Sequence, residues 1–261
     1  MANLRKPTSG GKRATVATIS AGGTNPPFSN PTMDAQQVLQ TINNGDTVSF
    51  NNFMALSDDE KADAIEAIMK QDVPNFLDKG DFQKLLYYTE FEGKPQILSD
   101  SALDKVKGKS LYRTVSDVYD RKTDVNYTSK QIYNQIAKGD YTMVSSSGGS
   151  AYGKGIYFAD SYRGSTVYGN GSRSLVMRAK LNSNARTIDY WKAVSGYSAE
   201  RNSGSKLGKA LSRLNGHDAI SVYAVAKGYN VIQASNGYHV ILDRSAISMS
   251  DKTKQATGTS W

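Results

Sequence analysis

The chain has 261 residues, with 32 Lys+Arg against 24 Asp+Glu for a formal net charge of +8, and no cysteine. That length suits one large domain or two modest ones. The composition excludes a disulfide scaffold and a thiolate metal site, its two histidines (His217, His239) argue against a multi-histidine zinc centre, and no apolar run reaches the ~18 residues of a membrane-spanning helix.

Residues 1–33 carry Arg5, Lys6, Lys12 and Arg13, no acid, and much Gly, Ser, Thr and Pro. Too little apolar surface is present to offset the entropy of ordering, so the stretch reads as a flexible basic arm. Its segment ATVATISA alternates with threonine and lacks a solid apolar h-region, so it reads as no targeting signal. Residues 34–106 hold fourteen acids against six bases, and residues 107–261 hold ten against twenty-two. An acidic segment followed by a basic one reads as two modules rather than a uniformly basic surface.

The acidic segment reads as helical. Ala35, Val38, Leu39 and Ile42 recur at the spacing of one helix face. Ser57 and Glu60 form a capping box ahead of DEKADAIEAIMKQ, with Ala62, Ile65 and Met69 facing inward and Asp72-Val73-Pro74 ending the run. A further helix is expected over roughly 80–89, with Phe82, Leu85 and Leu86 inside. Beyond Leu111 the texture turns strand-like. Leu175, Met177, Ala179 and Leu181 alternate onto one face, and Asn236-Gly237 between NVIQAS and YHVIL predicts a two-residue hairpin. Two helices interrupt the strands. One is capped by Ser129, with Ile132 and Ile136 inside and Gly139 after it. The other starts at Ser205, with Leu207, Ala210, Leu211 and Leu214 inside and Gly216 at its end. Irregular order and an antiparallel hairpin favour an α+β architecture. Residues 252–261 read as a tail.

The most unusual stretch is Ser145–Gly171, where a glycine-rich loop runs into GIYFAD and then a Ser/Tyr-rich segment. It matches neither a phosphate-binding P-loop nor a dinucleotide fingerprint. Tyr152–Tyr168, YGKGIYFADSYRGSTVY, does resemble the central motif of the ADP-ribosyltransferase superfamily, in its poly(ADP-ribose) polymerase-like branch. Around it, LYRTV (Leu111–Val115) resembles the first catalytic strand, and NARTIDY (Asn184–Tyr190) a following one. GHDAI (Gly216–Ile220) and YHVILDRSAI (Tyr238–Ile247) resemble the last two strands. The stretch from Phe82 to Pro95 is similar to the helical lead-in of phage-type members. The resemblance covers about residues 80–250.

It implies a split antiparallel sheet that holds NAD, as substrate, in a cleft behind a helical N-terminal segment. Arg113 would lie by the NAD ribose or phosphates, with the strand backbone at Thr114 pairing the nicotinamide amide. Tyr157 and Tyr168 would sandwich the ring, Ser165 would bond its amide, and Gly155 would let the backbone approach. Loss of nicotinamide leaves an oxocarbenium-like ribose, as in glycoside cleavage. Most members place a glutamate at the start of the last strand; this sequence has Tyr238 there and no acid between Asp218 and Asp243. Gln233 is the nearest longer polar side chain, with Asn236 and Glu200 as other stand-ins. Arg113, Tyr157 and Gln233 are therefore the expected catalytic set. His239 reads as structural and His217 as a loop or capping group.

The expected function is transfer of ADP-ribose from NAD to a host protein, by a phage-type enzyme in the host cytoplasm or carried on a virion. No membrane or metal is expected, and the basic module admits nucleic acid as a further partner. Two rival readings are a catalytically degenerate relative acting as a virion or interaction protein, and a general nucleic-acid binder supported by charge alone.

Overall fold

The computed structural model describes residues 31–73, 80–120, 124–138, 151–167, 169 and 173–256. Tyr168, Pro74, Gly139, the loop at 145–150 and all but the last few residues of the 1–33 arm lie outside them.

Four helices come first: α1 (Ala35–Asn43), α2 (Phe50–Ala55), α3 (Asp58–Lys70) and α4 (Asp81–Tyr88). The capping box of α3 forms as its sequence predicts: the Ser57 N–H donates to Glu60 at 2.7 Å, and the Glu60 N–H donates to Ser57 Oγ at 3.3 Å. Each satisfies an N–H group that the first helical turn leaves without an internal partner. Val38, Ile42, Ala62, Ile65, Phe82, Leu85 and Leu86 are buried as the periodicity requires.

Next come β1 (Gln96–Leu98), α5 (Asp100–Lys105), β2 (Ser110–Val115), β3 (Val118–Asp120), β4 (Val125–Tyr127), α6 (Ser129–Ala137), β5 (Ile156–Ala159) and α7 (Tyr162–Thr166). They are followed by β6 (Leu175–Leu181), β7 (Thr187–Asp189), α8 (Tyr190–Asn202), α9 (Lys206–Ser212), α10 (Gly216–Ala226), β8 (Val231–Gln233), β9 (Tyr238–Ile241) and β10 (Ile247–Gln255). The fold is mixed α/β. An eight-stranded sheet has the order β1-β10-β6-β2-β5-β9-β8-β7, and β3 and β4 form a separate ladder. Only β1/β10 and β7/β8 are parallel among these pairs.

Each face of the large sheet carries its own core. Helices α1–α4 and α8–α10 pack with Ile232 and Val240 on one face. Helix α6 packs with Leu111, Phe158, Met177 and Ile241 on the other. The helical core draws on both sides of the charge boundary near residue 106, from Val38 through Phe91 to Ala193 and Leu242. The acids of α3 meet bases of the later helices: Lys206 pairs with Asp63 and Arg213 with Glu66, both at 2.6 Å, and Lys227 pairs with Asp58 at 2.6 Å. The stretch read as a tail starts inside β10.

Four local expectations are corrected. Gly216–Ile220 is the first turn of α10, not a strand, so Gly216 opens a helix rather than closing one; every residue from Asp218 to Ala226 is buried, which erases the amphipathic signature. Its N-terminus faces that of α4, and neither Gly80 nor Asn215 caps its own helix with a side chain. Instead the Asp81 N–H donates to Asp218 at 3.2 Å and the Asn215 N–H donates to Asp81 at 3.1 Å, a reciprocal cap. The cap of α6 is Thr128, in a box with Gln131, and Ser129 is its first helical residue. The β8–β9 turn is a three-residue loop. Ala234 and Tyr238 close it, the Gly237 N–H donates to Ala234 O at 3.2 Å, and only Gly237 takes a positive φ, of 83°. The two-residue type would need Asn236 there as well.

Candidate functional site

Strand β2 makes six registered pairs with β6 but a single one with β5, Tyr112↔Ala159. The sheet is thus two four-stranded halves meeting at one bridge. Beyond the bridge, the Arg113 guanidinium spans the seam and donates to the Tyr157 carbonyl at 2.9 Å. Arg113 and Tyr157, expected to share a site, are brought together, through the backbone of β5.

The Tyr157 side chain leaves the opposite face of β5, toward the helical core. Its hydroxyl donates to Gly153 O at 2.6 Å and accepts from the Tyr152 N–H at 3.0 Å, tying down the turn that leads into the strand. That turn is also clasped by α10: Ser221 Oγ accepts from the Lys154 N–H at 2.7 Å and donates to its carbonyl at 2.9 Å. At Gly155 a Cβ would stand 2.7 Å from Ile241 O, so glycine is needed there for close approach to β9.

Thr114 and Ser165 also meet. Helix α7 sits over β2 and sets their hydroxyls 3.2 Å apart, with Ser165 Oγ donating to Tyr162 O at 2.8 Å. Both residues are buried. Tyr112 and Tyr162 stack edge to face alongside, with ring centroids 6.0 Å apart. Tyr238 stands at the start of β9, its hydroxyl donating to Gly164 O at 3.4 Å.

Gln233 goes elsewhere. Register pairs it with His239 and places His239 opposite Phe158, on the sheet face away from the Tyr157 side chain. Gln233 lines a cavity of about 570 Å3 where β2 begins and β5 and β8 end, together with Lys109, Asp160, Asp189 and His239. Burial holds the His239 imidazole below its ordinary pKa of 6.5; Asp160 acts against that shift and Lys109 adds to it. His239 Nδ1 is buried with no hydrogen-bond partner among the described residues. Asp160 and Lys109 fall outside the expected site, and His239 belongs to a cavity where a purely structural role was expected. The signal in the sequence was slight: an acid directly after an apolar strand and a histidine inside an apolar hairpin.

Two stand-ins for the expected glutamate are accounted for. Glu200 accepts from Ser205 Oγ at 2.6 Å and pairs with Lys227 at 3.1 Å. Asn236 donates to the Tyr152 hydroxyl at 2.6 Å, and Tyr152 packs edge-on against Tyr190. His217 is an exposed residue in the first turn of α10. No helix is long and apolar enough to cross a membrane among the described residues. No family model, curated protein or solved structure matches the chain.

Proposed function

We propose that the protein is an NAD-dependent ADP-ribosyltransferase with a split sheet of that superfamily's kind, modifying a host protein. The observation that carries this reading is the seam between β2 and β5, bridged once and spanned by Arg113. A planar guanidinium with five donors suits the pyrophosphate or ribose of NAD. The Thr114 and Ser165 hydroxyls lie together beside the seam and suit an amide such as that of nicotinamide. Because both are buried, α7 is the element that has to shift to admit the ring. The aromatic faces at Tyr112, Tyr157 and Tyr162 would favour a cationic ring before it leaves. The +8 charge of the chain favours encounter with a phosphate-bearing substrate. The protein would act in the host cytoplasm, or arrive there with a virion.

The test is transfer of labelled ADP-ribose from NAD into a host lysate, with released nicotinamide measured in parallel. Label and nicotinamide should both appear and be lost in Arg113→Ala and in Tyr157→Ala. Label that survives both substitutions would overturn the site.

A second reading is favoured by Tyr238, which occupies the start of β9 with its hydroxyl on Gly164 O, in a β8–β9 hairpin that has no acid. A transferase that stabilises a developing cation gains most from a carboxylate there. A relative that keeps the fold as a virion or interaction protein predicts NAD binding without nicotinamide release, and the same assay separates the two.

A further inference from the structure

The cavity holding Gln233 is a candidate site in its own right. It lies on the opposite sheet face from the Tyr157 side chain.

His239 is only 8% exposed, and its Nδ1 meets no partner among the described residues. A buried polar atom of this kind is rare without a group to satisfy it. Around it stand the Asp160 carboxylate and the Lys109 ammonium, neither of them in an ion pair among the described residues, and the Gln233 amide. Asp189 adds a second carboxylate, one of whose oxygens caps α8 by accepting from Trp191 and Lys192.

This chemistry narrows the ligand. Two carboxylates against one ammonium disfavour an anion, and the α8 N-terminus that would otherwise attract one is already capped by Asp189. Lys109 disfavours a cation at the same spot. No three metal-ligating side chains converge among the described residues, which argues against a metal ion. A neutral molecule is left, one that donates to carboxylates and accepts from an ammonium and an amide at several points. Hydroxyl groups do both. Leu111 and Leu181 supply an apolar wall for the C–H face of such a ring. A volume of about 570 Å3 falls in the ordinary range for small-molecule sites.

We propose that this cavity binds a neutral polyhydroxylated ligand, a sugar or cyclic polyol, through Asp160, Lys109, Gln233 and His239.

The chain has only two histidines, which makes the test direct. Full-length protein with 15N-labelled imidazoles is titrated with D-glucose, D-galactose, D-ribose and myo-inositol, and with inorganic phosphate and agmatine as anionic and cationic controls. At least one neutral probe should shift the His239 ring nitrogens saturably while the exposed His217 stays still. Asp160 and Gln233 are exposed, so Asp160→Asn and Gln233→Ala should keep the far-ultraviolet circular dichroism of the parent. Each should weaken that binding by about tenfold or more. The proposal is overturned if no neutral probe saturates, if phosphate or agmatine saturates instead, or if both variants bind as the parent does.

Discussion

Arg244 fastens three distant parts of the chain, and replacing it with methionine should cost more than any surface change. It is 2% exposed, in the short turn between β9 and β10. Its guanidinium donates to Gly93 O at 3.1 Å and to the α6 carbonyls of Gln135 and Ile136 at 2.8 and 3.0 Å, and it pairs with Glu92 at 3.0 Å. The α6 carbonyls belong to the last turn of the helix, where carbonyls lack the i+4 donors of the interior. Methionine fills comparable volume but supplies no donor. The loss is then the desolvation of three carbonyls and a carboxylate left without their cation, about 3–5 kcal/mol in all. Against a typical total of roughly 5–15 kcal/mol, that is a large fraction of the stability. Arg244→Lys should fall between, because one ammonium cannot reach Gly93 and the α6 end together. Urea unfolding at equilibrium measures both variants. An Arg244→Met protein within about 1 kcal/mol of the parent would refute the assignment of this residue as a fastening point.

The remaining contacts carry expectations of their own. Lys227→Met breaks pairs to Asp58 and Glu200 at once and should cost about 1–2 kcal/mol, whereas the more exposed Lys206→Ala should leave the unfolding midpoint nearly unchanged; urea unfolding separates them. Gly208→Ala would put a Cβ 2.1 Å from the Glu200 carbonyl and should cost about 3 kcal/mol in the same assay, because the obstacle is backbone. The depressed His239 pKa contributes stability that is full above about pH 6.5 and is lost as pH falls through the folded value. Its nitrogen resonances should titrate below 6.5, lower still in Asp160→Asn and higher in Lys109→Ala; titration at or above 6.5 in the parent would contradict the burial argument.

Much of the scaffold was legible because local signals agreed with it. The Ser57/Glu60 box, the Ala35–Ile42 stripe and the alternation in Leu175–Leu181 each state a period and a boundary. Legibility ends where burial is complete. Helix α10 runs through AISVYAVA, and with all sides covered no period survives to distinguish helix from strand. Strand β1 is three residues long and gains its structure from β10, more than 140 residues away. Helix α5 is six residues long with Leu103 its one buried side chain, too little to state a period, and polar contacts hold it to the sheet: Arg178 pairs with Asp100 and Asp104, and Lys180 donates to the Val106 carbonyl. Around the candidate site, the motif brought Arg113 to Tyr157 and Thr114 to Ser165. It could not show that Gln233 leaves the sheet face opposite the Tyr157 side chain, because one residue of register reverses a side chain. The cavity was invisible for a related reason: its polar groups come from the ends of separate strands.

Strand β10 lies between β1 and β6, pairing in parallel with the first strand of the sheet and antiparallel with the sixth. During synthesis, residues 96–98 therefore wait for residues 248–250 before their backbone groups find partners. Until then β6 presents an open edge, the kind that recruits strands from neighbouring chains. Late closure of this sort makes folding slow and exposes the nascent protein to chaperones. A ribosome-bound chain arrested before residue 247 should remain protease-sensitive throughout the sheet, and acquire resistance in one step once β10 has emerged.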